Sequence, residues 1–216
     1  MDDVILRDQG VFAAAFARLI ALDARLEPLA RATGVPALRR RPPGFGGLVG
    51  LVVAQQLSVA AARAISERLE LALSGVVTPA GMLAAAPELL RQAGLSAPKI
   101  RTLTGIAGAV TSGMADLERI AHLSSEAAVA ELIRLPGVGR WTADLYLLFC
   151  LGRADAFPSG DLALQVALGD GFALGGRCTE PGLLAVAEEW RPLRGVAAHL
   201  LWAYYGTCRA RAGAPA

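Results

Sequence analysis

The stretch Leu135–Leu147, LPGVGRWTADLYL, breaks a long run of helix formers with a proline and two glycines one residue apart. Pro136 fixes its own φ and ends the helix before it. Gly137 and Gly139 offer positive φ at little steric cost. The chain must therefore turn sharply between two helices, and the turn aims backbone N–H groups outward at the start of the second. Such a cluster favours an anion, and the positive end of the helix adds to the attraction. A nucleic-acid phosphate is a fitting ligand, held through the backbone and so without sequence readout. Gly137, Val138, Gly139, Arg140 and Thr142 are the candidate phosphate contacts. For a bare Gly-X-Gly, a tight turn with no ligand is the plain alternative.

The remainder of the chain also reads as helix. Ala and Leu, strong helix formers, dominate an apolar fraction of 54%, and no run alternates with period two. One helix is expected from about Val11 to Thr33, and a long one over 48–73 with a break near Gln55–Ser58. A short helical pair follows over 78–94, then helices over 96–113 and 124–135, the latter with serines suited to an N-cap. Helical patterns resume after the hairpin, after Pro158-Ser159-Gly160, and over 180–190 and 191–209. The stretch 34–47 is a loop, and its Arg39, Arg40 and Arg41 suit either phosphate contact or plain solvation. The uncharged stretch Pro42–Ala62 is long enough to span a bilayer. Its four glycines, Gln55, Gln56 and Ser58 argue instead for a buried helix behind a glycine-rich loop.

Net charge is only +2, so charge alone establishes no nucleic-acid partner. Lys99 is the only lysine. Cys150, Cys178 and Cys208 form no CxxC and no disulfide framework, which points to a reduced, cytoplasmic setting. Cys150 lies in an apolar run and is expected to be a buried thiol. His122 and His199 have no ligand-spaced partner and are expected to be partly exposed helical residues. The acidic opening, MDDVILRDQG, lacks the basic and apolar regions of a secretory signal.

Beyond a bare Gly-X-Gly, the string Leu-Pro-Gly-Val-Gly-Arg-X-Thr-Ala is far more specific. With VAQQLSVAAARAI, GLSAPKIRTLTGIA, PSGD and RPLRGVAAHLLW in that order, the chain resembles the helix-hairpin-helix DNA glycosylases. The likeness runs over nearly the whole chain and is to the 3-methyladenine DNA glycosylase II, or AlkA-type, group. It implies an all-α fold of two helical lobes with a DNA-binding cleft between them. The expected lobes are 45–151, carrying the hairpin, and 1–44 with 152–216. It further implies a monomer acting on double-stranded DNA that carries alkylated bases such as 3-methyladenine and 7-methylguanine, with no membrane association. Many AlkA-type proteins have an N-terminal β-rich domain. This chain begins directly in helix and resembles a short form, so a more open pocket accepting bulkier lesions is expected.

The resemblance also assigns residues. Trp141 stands where bifunctional members carry the lysine that forms a Schiff base, so a monofunctional enzyme that leaves an abasic site is implied. Asp161 follows Trp141 by twenty residues, at the family's aspartate position. A carboxylate there stabilises the oxocarbenium-like sugar as the N-glycosidic bond breaks, or orients the attacking water; its plain alternative is helix N-capping. Trp141 and Trp202 match aromatic walls of the base pocket, with Tyr205 a weaker candidate and Trp190 assigned to the core. Leu145 stands where the family often has tyrosine. Gly160 replaces a residue that is commonly polar, and Asp144 is assigned to the surface or to packing. Gln56, then Gln55, with Ser58 beside them, falls where the family inserts a side chain into the gap left by a flipped base. The carbonyls of Ile133, Leu135 and Val138 match a monovalent-cation site. No cofactor is required, and no cysteine cluster offers the four thiolates of an iron–sulfur centre. Two other readings stay open: a glycosylase for neutral lesions such as hypoxanthine or uracil, and a non-catalytic DNA-binding module.

Overall fold

The computed structural model describes residues 4–211, so Asp2 and Asp3 of the acidic opening lie outside the described residues. Its helices are, in chain order, α1 (Gln9–Leu22), α2 (Glu27–Thr33), α3 (Phe45–Ala54), α4 (Val59–Ala72), α5 (Pro79–Ala84), α6 (Pro87–Gln92) and α7 (Ala97–Thr111). They continue with α8 (Leu117–His122), α9 (Ser125–Leu132), α10 (Arg140–Leu145), α11 (Leu162–Gly171), α12 (Glu180–Ala187) and α13 (Arg194–Arg211). Among the described residues there is no strand, only an isolated antiparallel bridge between Ile5 and Arg153. The expected all-α fold is borne out. The chain divides into two compact units, Met1–Arg40 with Leu151–Ala216, and Arg41–Cys150. No helix among the described residues is long and apolar enough to cross a membrane.

Side-chain caps set many of the helix starts. Asp8, Ser58, Thr78, Asp116, Ser124 and Thr179 each accept a hydrogen bond from a backbone N–H in the first turn that follows. Each such cap contributes about 1 kcal/mol by satisfying a donor the helix itself leaves unpaired.

In the unit built from both ends of the chain, α13 packs against α11, α2 and α1. Phe12, Leu19, Leu26, Leu164, Leu168 and Leu200 are fully buried there. The single helix expected through Thr33 is broken at Asp23. Its backbone is extended, and its carboxylate accepts from the Arg25 N–H, the Arg25 guanidinium and the Trp190 indole N–H, at 2.8–3.0 Å. Burial pushes the Asp23 pKa up, but those donors outweigh it and hold the group below its ordinary value. Trp190, 0% exposed between the ring edges of Phe157 and Phe172, belongs to the core as expected.

In the other unit α3 lies at the centre, against α4, α7, α10 and the π-helical turn Tyr146–Cys150. Leu48, Leu51, Val52 and Val53 are all but fully buried, so the uncharged stretch holds a core helix, α3, behind a loop, followed by an exposed turn and the start of α4. Cys150 is a buried thiol. The Tyr146 hydroxyl accepts from the Gly44 N–H at 2.9 Å at the start of α3, and burial pushes its pKa up to about 12. The break expected near Gln55–Ser58 separates α3 from α4.

Candidate functional site

Asp161 is the N-cap of α11. Its Oδ1 accepts from the Ala163 N–H at 2.9 Å, the Leu164 N–H at 3.3 Å and the Trp202 indole N–H at 3.2 Å. Asp161 therefore caps α11, as its plain alternative has it, and is bonded to Trp202 as well. The preceding turn is fixed by neighbours. The Asp161 N–H donates to the Pro158 carbonyl, Gln165 donates to the Ser159 carbonyl, and the Ser159 hydroxyl donates to Glu180 at 2.8 Å. A Cβ on Gly160 would meet only Glu180, at ordinary contact distance, so the glycine is tolerated rather than demanded.

Trp202 lies half-buried on α13 and is contacted on several sides. The Arg39 guanidinium lies over its ring, 5.6 Å from the centroid. The His199 ring meets it edge-on at 5.9 Å between centroids, and the Phe12 ring lies 5.0 Å from that of His199. His199 is 2% exposed, not partly exposed as the sequence suggests. It is stored as a neutral ring: Nδ1 bonds the Gly195 carbonyl at 2.8 Å, and Nε2 accepts the Arg39 backbone N–H at 3.4 Å. Burial pushes its pKa down to about 4, with the Arg39 charge acting the same way. Arg39 keeps much of its surface in solvent. Even so, the protein atoms packed around its charge hold its pKa below the ordinary guanidinium value, while the Asp161 charge acts the other way. Arg39 thus belongs to a cluster with Asp161, Trp202 and His199, a role that its arginine-rich loop does not signal. His199 had a signal: it precedes Trp202 by three residues and so shares its helix face.

The hairpin is built as the sequence implies, with one correction. Gly137 has φ +69°, but Gly139, at φ −88°, is extended and serves as the N-cap of α10. One left-handed residue suffices to reverse the chain, so the second glycine need not supply another. The Val138 N–H closes the turn on the Leu135 carbonyl. Helix α7 presses closely on it. A Cβ on Gly137 would strike the Thr102 side chain, and one on Gly105 would strike the Pro136 ring. Arg140 pairs with Asp144 at 2.9 Å; Asp144 is only 3% exposed, which resolves its expected position to the buried side of α10. Trp141 is half-buried, and Leu145 is 5% exposed. Tyr205, one turn beyond Trp202 on α13, is half-buried, with Arg209 over its ring and bonded to its hydroxyl at 3.1 Å.

The turn between α3 and α4 separates the two glutamines. The Gln55 side chain donates to Thr142 Oγ1 at 2.9 Å and to the Gly137 carbonyl at 3.4 Å, tying that turn to the hairpin. Gln56 takes a left-handed φ of +58° and is exposed, as is Ser58, the cap of α4. Lys99 donates to the Val53 and Gln55 carbonyls at 2.7 and 2.9 Å, and burial holds its pKa below the ordinary ammonium value.

Known proteins resemble the chain over most of its length. DNA-3-methyladenine glycosylase 1 of Schizosaccharomyces pombe is 34% identical over 77% of this chain and 74% of its own. A solved structure of the S. pombe 3-methyladenine DNA glycosylase Mag1 in complex with abasic DNA superposes with a TM-score of 0.79. It is 31% identical over 88% of this chain and 95% of its own. A DNA-3-methyladenine glycosidase from Bacillus halodurans superposes with a TM-score of 0.78, at 29% identity over 97% of this chain and 95% of its own. Residues 49–192 match the pattern of a family described as HhH-GPD superfamily base excision DNA repair protein. The chain belongs to the HhH-GPD superfamily of base excision DNA repair proteins.

Proposed function

We propose that the protein is a monofunctional DNA glycosylase that releases alkylated purines from double-stranded DNA and leaves the strand intact. The observation that carries this reading is the Asp161–Trp202 pair: a half-buried carboxylate held by two backbone N–H groups and by the indole of the ring beside it. Likeness to glycosylases named for 3-methyladenine supports the substrate class.

The target base is extruded from the duplex before reaction. N3- and N7-alkylated purines carry a positive charge, and the face of Trp202 attracts them by about 0.5–2 kcal/mol. That same charge makes the base a good leaving group. As the glycosidic bond breaks, charge develops on the sugar, and Asp161 stabilises it from a position that needs no rearrangement. Three donors fix the carboxylate in place, which is what preorganisation requires. Trp141 is a second ring for the base by its family position. The hairpin N–H groups after Gly137 grip one phosphate. Gln56 fills the gap left in the stack; Gln55 does not, because its side chain is committed to the hairpin. Lys99, the only lysine, is engaged by two carbonyls, and Trp141 offers no amine, so the residues provide no Schiff base for strand cleavage.

The carbonyls of Ile133, Leu135 and Val138 fit a hard monovalent cation: an all-oxygen donor set beyond the negative end of α9. The Leu135 carbonyl also accepts the Val138 N–H, so it would be shared. A cation bound there would stiffen the hairpin and offset phosphate charge.

A second reading has one observation in its favour. Arg39 already places a cation over Trp202, which suits neutral purines such as hypoxanthine better than charged ones.

The deciding measurement is base release from duplexes carrying 7-methylguanine or 3-methyladenine. The protein is expected to free the base with no nick until alkali is added. Asp161→Asn is expected to slow release on the order of 100-fold. Equal release by the variant, or nicking without alkali, would overturn the mechanism.

A further inference from the structure

We propose that Arg39 is a specificity-determining residue of the Asp161 site, a resident cation that a positively charged base must displace from the face of Trp202. The inference rests on the glycosylase reading above and deepens it.

Two contacts place Arg39 there. Its guanidinium lies 5.6 Å from the centroid of Trp202, at a cation–π distance. The same indole donates to Asp161 at 3.2 Å, so the cation, ring and carboxylate form one chain of contacts. Asp161 is felt at Arg39 as an attractive charge. The two features that attract a cationic methylpurine and a cationic sugar are therefore already in partial use by the protein's own cation.

Arg39 can give way without unfolding its surroundings. Its backbone N–H is held by the buried His199, while its side chain is long and keeps much of its surface in solvent. The loop ahead of α3 can stay fixed as the guanidinium swings off the ring. A neutral purine meets no like charge. If Arg39 stays, its fork of donors also matches the O6 and N7 acceptors of a purine such as hypoxanthine. In 7-methylguanine, N7 is methylated and no longer accepts. Arg39 thus tilts the site away from charged lesions and toward neutral ones.

The test compares binding of two duplexes: one with a pyrrolidine abasic analogue, cationic at neutral pH, and one with a neutral tetrahydrofuran analogue. The proteins are the parent, Arg39→Gln and Arg39→Lys, each checked for an unchanged melting transition. Arg39→Gln is expected to raise the cationic-to-neutral affinity ratio about five-fold. It is expected to shift the release ratio of 7-methylguanine to hypoxanthine the same way. Arg39→Lys, which keeps the charge but loses the planar fork, is expected to leave the affinity ratio of the two analogues closer to the parent's than Arg39→Gln does. If Arg39→Gln weakens both analogues equally, the residue serves only as a phosphate contact or a structural prop, and the inference falls. A reduced ratio overturns it as well. If the parent neither favours the abasic analogues over intact DNA nor releases either base, the glycosylase reading fails, and this inference with it. If the parent does both and the ratio is unmoved, only the inference fails.

Discussion

At the scale of single residues, two tryptophans show how one chemistry serves two ends. Trp190 and Trp202 each donate an indole N–H to an aspartate, Asp23 at 2.8 Å and Asp161 at 3.2 Å. Trp190 is fully buried and its bond closes a core, whereas Trp202 is half-buried and its bond holds a carboxylate at the surface. The N–H and the ring of Trp202 can be separated by experiment. Trp202→Phe keeps an aromatic face and removes the donor. A hydrogen bond to a charged group is worth about 1.5–3 kcal/mol, so methylpurine release is expected to fall roughly ten-fold or more, with binding of abasic DNA far less affected. A single-turnover release assay beside a binding titration checks this. Loss of both in equal measure would mean that the ring, not the bond, is what matters. The place of Trp190 in the core was legible in the sequence and is borne out by its full burial. The sequence did not show Arg39 beside Trp202 and His199, because a loop carries no local pattern that names a partner 160 positions away, the separation of Arg39 and His199.

At the scale of elements, α7 does more than fill space. Its Thr102 and Gly105 faces seat the hairpin, and its Lys99 caps the end of α3 by bonding the Val53 and Gln55 carbonyls. A helix ends with carbonyls that have no partner within it, and an ammonium answers both that need and the helix dipole. Gln55 then passes the constraint on, through its side chain, to Thr142 and Gly137. Lys99→Met keeps the aliphatic stem and deletes the donors. The expected cost is about 2 kcal/mol of stability, read by thermal or chemical denaturation, together with weaker binding of abasic DNA as the Gln56 turn loosens. A variant as stable as the parent would show the cap to be idle. Helix starts were largely legible in the sequence, since Ser58, Thr78, Ser124 and Asp161 are residues that cap by their nature. The break at Asp23 was not. ALDARL keeps helical periodicity, and what stops the helix is a carboxylate whose third donor comes from Trp190, far along the chain. Which glycine of the hairpin takes positive φ was also hidden, because Gly-X-Gly permits either and only the packing of Thr102 against Gly137 decides.

At the scale of the molecule, these local choices meet in the response to acid. His199 is stored neutral, with its pKa pushed down to about 4, while an unfolded chain would titrate it near 6.5. Below about pH 6.5 the unfolded state takes up a proton that the folded state refuses, so stability falls as pH falls, until the folded ring also titrates near 4. Over that window the loss amounts to about 3 kcal/mol at most. Arg39 faces the ring from its loop and Gly195 from the helix's own carbonyl, while Asp161 lies across Trp202. Asp23 adds a second loss at lower pH. Its folded pKa is depressed, so its contribution is present above the ordinary carboxylate range and disappears as pH drops through its folded value. The melting temperature is therefore expected to be flat above pH 7, to decline from about 6.5 to 4, and to drop further below. His199→Gln cannot take the proton, so its melting temperature, though lower throughout, is expected to run nearly level between pH 6.5 and 4. A variant with the parent's slope would show that the acid sensitivity arises elsewhere in the fold. The site itself is implicated because protonating His199 breaks its acceptor bond from the Arg39 N–H. Loss of the Arg39–Trp202 stack, read as a change in tryptophan fluorescence of the folded protein, should therefore set in only as the folded ring titrates near pH 4 and vanish in the glutamine variant.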